Sequence, residues 1–247
     1  MTLEEFFTQH PRTAVAFSGG TDSAMVLWAA GRYGRDVRAY YVHTVFQPAF
    51  ELADAKRLAE ELDVPVTVVE ADVLAVPEAG ANGHRRCYYC KKALFTTLWQ
   101  RAREDGYTVL LDGTNASDDA GDRPGMQALR ELEVRSPLRE CGITKAEVRR
   151  MSKEAGLFTW DKPAYACLAT RVPTGTAITR KALEKVERGE NALFRLGFSD
   201  FRVRLLGDAA RIQVPADQME RALALRGEIN QALEADFSAV LLDLAGR

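Results

Sequence analysis

The chain has 247 residues, 33 of them Lys or Arg and 35 Asp or Glu, for a formal net charge of −2, and 47% are apolar. That composition excludes a disordered chain, a collagen and a disulfide scaffold, and it suits one large domain or two modest ones with a real core. Neither the first 170 residues nor the remainder concentrates charge of one sign, which weighs against nucleic acid or membrane as a partner.

The start, Met1 to Phe7, lacks the basic region and apolar run of a signal peptide, and no stretch approaches the roughly eighteen apolar residues of a membrane span, so a cytoplasmic protein is expected. Thr13 to Phe17 is an apolar run without alternation, the pattern of a strand covered on both faces. A loop, Ser18-Gly19-Gly20-Thr21-Asp22-Ser23, follows, and Ala24 to Ala30 suits a buried helix. Val37 to His43, Ala49 to Leu62 and Val64 to Glu70 continue as strand, helix and strand. Then come a helix at about Lys91 to Arg103, a strand at Thr108 to Asp112, and a helix at about Lys145 to Ala155 headed by Thr144 and Glu147 in capping-box spacing. This alternation predicts an α/β fold, a parallel sheet doubly wound with helices.

After Arg171 the texture changes. Val172 to Thr176 has the Pro and Gly of a linker, and a helix follows Ile178, marked by Ala182, Leu183, Val186, Leu193 and Leu196. Phe201 to Leu206 and Arg211 to Val214 alternate like a hairpin around Gly207-Asp208, before a helix at about Asp217 to Leu233 and a strand at Ser238 to Leu244. Two domains are expected: residues 1–171, doubly wound, and residues 177–247, a smaller α+β unit.

The Ser18–Ser23 loop lies where a strand ends and a helix begins, so free backbone N–H groups and the helix dipole favour an anion. Gly19 and Gly20 let phosphates approach, and Ser18 and Ser23 add hydroxyls. The Lys and the wider glycine spacing of a Walker A loop are missing. The six residues match the SGGxDS signature and resemble the PP-loop ATP pyrophosphatases, which cleave ATP to AMP and pyrophosphate; a tight Gly-Gly turn with a Ser/Asp cap is the bland alternative. Asp112-Gly113-Thr114-Asn115 repeats the strand-end pattern, and in PP-loop enzymes that strand end contacts the nucleotide, which makes Gly113 a further ATP-site candidate; a simple turn is the alternative. His43 also ends a strand, where a lone His is usually structural.

Four cysteines remain. Cys87-Tyr88-Tyr89-Cys90 lets two sulfurs converge on a metal or form a redox disulfide, Cys167 precedes the linker, and Cys141 reads as a buried bystander. Structural zinc would need Cys141 or His84 as an added ligand. The loop at 18–23, Arg86-Cys-Tyr-Tyr-Cys-Lys91, Asp112 to Asn115, Gly121 to Gly125, Arg135-Ser-Pro-Leu138, Cys167 to Arg171 and Phe201-Arg-Val-Arg204 together resemble the LarE family of ATP-dependent sulfur transferases.

The resemblance implies that MgATP adenylylates a carboxylate of pyridinium-3,5-biscarboxylic acid mononucleotide and that sulfur then displaces AMP, giving a thiocarboxylate for the nickel-pincer cofactor of lactate racemase. Asp22 becomes a candidate magnesium ligand. Some family members sacrifice the cysteine matching Cys167; others carry three cysteines on a 4Fe-4S cluster, the pattern that Cys87, Cys90 and Cys167 match. Arg202 and Arg204 alternate on one strand face and would hold the substrate's phosphate in a homo-oligomer, although a solvated strand face is the plain alternative. Glu190 is a weaker carry-over near the sulfur-transfer site, and Gln213 stands where the family often has Glu. A tRNA-thiolating PP-loop enzyme, an amide-forming ligase of the NAD or GMP synthetase type and a non-enzymatic nucleotide-binding regulator are the competing functions.

Overall fold

The computed structural model describes residues 1–118 and 124–247. In chain order the elements are α1 (Leu3–Gln9), β1 (Arg12–Ala16), α2 (Thr21–Tyr33), β2 (Asp36–His43), α3 (Ala49–Glu61), β3 (Val66–Glu70), α4 (Pro77–Gly80), α5 (Arg86–Glu104), β4 (Leu110–Leu111), α6 (Pro124–Glu131), α7 (Pro137–Glu140), α8 (Lys145–Glu154), α9 (Arg180–Arg195), β5 (Arg202–Leu206), β6 (Ala209–Gln213), α10 (Met219–Ala224), α11 (Arg226–Leu233) and β7 (Val240–Leu242). Two compact units result, residues 1–76 with 85–162, and residues 77–84 with 163–247. Residues 163–171, grouped with the first domain by sequence texture, thus pack with the second unit. Among the described residues no helix is long and apolar enough to cross a membrane.

In the first unit four parallel strands lie in the order β3-β2-β1-β4. Successive strand residues point to opposite faces. Ala14, Tyr40, Val42 and Leu110 therefore meet Leu98, Trp99 and Ala102 of α5 on one side, while Val15, Ala39, Tyr41 and Leu111 meet Phe6, Met25, Leu58 and Val148 on the other. Both faces are covered, which is why β1 reads as an unbroken apolar run. The chain moves outward from β1 to β3 and returns across the sheet to β4, so the strand order reverses between β1 and β4. The expected capping box heads α8, with Thr144 and Glu147 each bonded to the other's backbone N–H. Thr2 and Glu5 do the same for α1, a helix the sequence reading passed over.

In the second unit β5 and β6 form the expected antiparallel hairpin and β7 adds in parallel to β6. Its core joins Leu193 of α9 to Val203, Ile212, Leu233 and Phe237. The helix expected over residues 217–233 is broken at Leu225, where φ −92° and ψ 19° end α10 and start α11. Ala222, Ile229 and Leu233 stay buried on both sides of the break, so the apolar period survives it. The segment 172–176, expected as a linker, is tied down within this unit: the buried Asn82 side chain donates to the carbonyls of Val172, Pro173 and Thr176.

Candidate active site

The Ser18–Ser23 loop leaves the carboxyl end of β1 and opens α2. Gly19 takes φ +73°, and a Cβ there would stand 3.2 Å from the Glu51 carbonyl oxygen of α3. The N-cap is Gly20, which has no side chain to satisfy the first-turn N–H groups of this thirteen-residue helix, so those donors and the positive helix end are left to an anion. The Ser18 and Ser23 hydroxyls lie 3.0 Å apart beside them.

The carboxyl end of β4 comes up against the same turn. Asp112 is buried; it accepts from the Thr114 N–H at 3.2 Å, the Thr114 hydroxyl at 2.5 Å and the Ser136 hydroxyl at 2.6 Å, and so fixes the turn that follows β4. That turn lays Gly113 on α2 so closely that a Cβ would stand 2.8 Å from the Ser23 nitrogen. Between the two strand ends lies a cavity of about 300 Å³, lined by Ser18, Gly20, Asp22, Ser23 and Gly113, with Lys91 and Phe95 added from α5. Its place where the strand order reverses is where open α/β sheets bind ligands. A smaller apolar cavity of about 110 Å³ shares Ala16, Ser18 and Phe95 with it and adds Phe17, Tyr40 and Val42.

Asp22, in the first turn of α2, accepts from Lys145 Nζ at 2.6 Å and from Asn115 Nδ2 at 3.3 Å. Lys162 Nζ donates to the Gly19 carbonyl at 3.3 Å and to Asp54 at 2.7 Å. Sequence reasoning missed Lys145, Asn115 and Lys162. Asn115 follows the Gly113 turn and could have been suspected, whereas the two lysines arrive from far along the chain. His43 pairs with Glu70, its cross-strand neighbour on β3, at 2.9 Å, in keeping with a structural role.

All four cysteines are thiols. Cys87 and Cys90 stand three residues apart at the start of α5, so both sulfurs leave one side of that helix. Cys87 is exposed and Cys90 partly buried. Cys141 packs beside the first core, and burial pushes its thiol above the ordinary range. Cys167 belongs to the second unit and precedes the short turn Leu168–Arg171. Three thiols are a suitable donor set for a cluster in kind and number, but within neither unit do three or more described His, Cys, Asp or Glu residues gather to hold a metal. Of the Gly121–Gly125 motif, residues 121–123 lie outside the described residues, while Pro124 and Gly125 begin α6.

In the second unit the buried Glu190 accepts from Arg171 Nε at 2.8 Å, from the Val203 N–H at 3.0 Å and from the Tyr165 hydroxyl. Arg202 and Arg204 do share a face of β5. The Arg202 guanidinium is buried and donates to the carbonyls of Phe201 at 2.6 Å and Ala164 at 2.8 Å. Arg204 donates to the Thr170 carbonyl at 2.6 Å and to Gln213 Oε1 at 2.5 Å. Both arginines therefore grip the segment that carries Cys167. Burial, then the nearby Arg171 charge, lowers the pKa of each below the ordinary arginine value. Three guanidinium groups around one buried carboxylate leave an excess of positive charge suited to an anion. Gln213 passes its other end to Asp243 at 2.8 Å, so a carboxylate stands one residue behind the position where the family often has Glu.

The asparagine synthase family model matches residues 8–157. An uncharacterized protein of Synechocystis is 39% identical over 99% of this chain and 92% of its own length. The pyridinium-3,5-bisthiocarboxylic acid mononucleotide synthase of Lactiplantibacillus plantarum is 36% identical over 95% of this chain and 86% of its own. A tRNA-specific 2-thiouridylase of Clostridium botulinum reaches 23% over 71% of this chain and 60% of its own. With the Ser18–Ser23 loop at the switch point of a parallel sheet and a match of this strength over nearly the whole chain, the chain belongs to the LarE family of ATP-dependent sulfur transferases, within the PP-loop enzymes.

Proposed function

We propose that the enzyme converts a carboxylate of pyridinium-3,5-biscarboxylic acid mononucleotide to a thiocarboxylate in the cytoplasm, as a step of nickel-pincer cofactor synthesis. The observation that carries this reading is the 36% identity over 95% of the chain to the Lactiplantibacillus synthase. A carboxylate is a poor electrophile, so the reaction needs two steps. A carboxylate oxygen attacks the α-phosphorus of ATP, the bond from that phosphorus to the bridging oxygen breaks, and pyrophosphate leaves. A sulfur nucleophile then attacks the acyl carbon and AMP departs with the former carboxylate oxygen.

In this reading the uncapped N–H groups after Gly20, together with Ser18, Gly19 and Ser23, hold the ATP phosphates. Asp22 meets magnesium directly or through water, with Lys145 and Asn115 steadying its carboxylate. Gly113 admits the nucleotide beside α2, and the adjoining apolar cavity takes the adenine ring. Arg202 and Arg204 supply positive charge for the substrate's phosphate, in a second domain that also assembles the homo-oligomer. Cys87, Cys90 and Cys167 would hold a 4Fe-4S cluster, which when bound supplies sulfur for repeated turnover. The competing source is Cys167 itself, consumed once.

Anaerobic purification with iron and sulfide analysis, repeated for Cys87→Ala, Cys90→Ala and Cys167→Ala, tests the sulfur source. Loss of cluster in each variant is expected. A normal cluster in all three would overturn the ligand assignment, and one sulfur missing from Cys167 of the wild-type protein after turnover would establish sacrifice instead.

A further inference from the structure

The nucleotide cavity presents a charge problem. Asp22, Asp112 and Asp118 line it, yet ATP would bring several more negative charges, and magnesium offsets only part of them. The three aspartates already have partners: Asp22 has Lys145 and Asn115, Asp112 has Thr114 and Ser136, and Asp118 accepts from the Asn115 N–H at 2.9 Å. Of the nearby lysines, Lys145 is committed to Asp22 and Lys162 to Asp54. Lys91 is the one cation among the described residues that line the cavity, and among those residues it forms no ion pair.

The surroundings of Lys91 explain how it gets there. Helix α6 packs on α5, and at their contact stands Gly125, where a Cβ would lie 3.0 Å from Lys91 Cδ and 3.3 Å from Cε. The glycine leaves a channel for the half-buried lysine stem. Lys91 also stands four residues after Cys87, on the same side of α5.

We propose that Lys91 is the protein's own cation for the ATP phosphate chain, and that Gly125 is a positioning residue that holds open the path for its side chain. This rests on the reading of the cavity as the nucleotide site. Equilibrium binding of MgATP and of adenosine to the full-length protein tests it. Lys91→Met is expected to weaken MgATP about 10- to 100-fold, as loss of a charge-assisted hydrogen bond would, while adenosine affinity stays within about twofold. Lys91→Arg keeps the charge and recovers most of the loss. Gly125→Ala displaces the stem and weakens MgATP several-fold without lowering the melting temperature or touching adenosine. Wild-type MgATP affinity in Lys91→Met, or an equal loss for adenosine, would overturn the proposal. Absence of MgATP binding to the wild-type protein would instead overturn the nucleotide site, and the role of Lys91 with it.

Discussion

Gly113→Ala is the most informative single change. The added methyl carbon would stand 2.8 Å from the Ser23 nitrogen, 3.1 Å from the Ser23 Cα and 3.2 Å from the Asp22 carbonyl carbon. The closest approach falls about 0.6 Å short of ordinary van der Waals contact, and all three atoms are backbone of the first turn of α2, so no side chain can rotate aside. Either β4 or the start of α2 must move. Overpacking of this kind costs about 1–3 kcal/mol, and for a chain of this size each kcal/mol lowers the melting temperature by roughly 2–4 °C. If the first-turn N–H groups of α2 hold the ATP phosphates as proposed, displacing them by a large part of an ångström is expected to lower kcat/KM for pyrophosphate release by about 100-fold. Calorimetry and a coupled pyrophosphate assay read the two effects. Gly227→Ala, in α11 with nothing within 4 Å of the new carbon, is the control and should be neutral or slightly stabilising. A Gly113→Ala enzyme with wild-type melting and kcat/KM would refute the claim that this close approach shapes the site.

Other changes report on other parts of the account. Glu190→Gln leaves the buried Arg171 guanidinium without its anion, and should destabilise the second unit by about 3–5 kcal/mol in denaturant melts; a change under about 1 kcal/mol would mean that the pair is not buried as described. Lys145→Ala removes a half-exposed ion pair, so its stability cost should stay below about 1 kcal/mol while the magnesium concentration needed for activity shifts; unchanged magnesium dependence would count against Asp22 as the metal's ligand. Acid stability has a defined sign. Burial holds His10 below the ordinary histidine value, the hydrogen bond from Arg135 lowers Glu140, and those from Lys92 and Tyr88 hold Glu131 at about 2. Each group takes its proton first in the unfolded chain, so these groups leave stability level at about pH 7 to 8 and lower it as pH drops through the histidine range and then the carboxylate range. Denaturant midpoints that rise on acidification would contradict this. Alkylation followed by mass spectrometry should label the exposed Cys87 first and the partly buried Cys141, whose thiol is held above its ordinary range, last.

Much of the fold was legible because its signals are local. The apolar run at 13–17 needs covering on both faces, the glycines of the loop mark a strand end, and Thr144 with Glu147 marks a helix start. The matching Thr2 and Glu5 pair carried the same information for α1. The break at Leu225 left no trace, because burial kept its helical period across it. Gly113 could be singled out as a strand-end glycine, whereas its reason, the Ser23 backbone ninety residues earlier, depends on which strands are neighbours. Lys145 and Lys162 were invisible for the same cause. The alternation of Arg202 and Arg204 gave their shared face, but not that both side chains would turn onto the carbonyls around Cys167.

The central claim is transfer of sulfur to a carboxylate activated by ATP. It is tested most directly by incubating the anaerobically prepared enzyme, supplied with iron and sulfide, with MgATP and pyridinium-3,5-biscarboxylic acid mononucleotide, and following pyrophosphate and the mass of the pyridinium product together. The account predicts pyrophosphate release that depends on the mononucleotide and a product in which sulfur has replaced a carboxylate oxygen. Pyrophosphate release that requires tRNA instead, or a mononucleotide recovered unchanged, would contradict it.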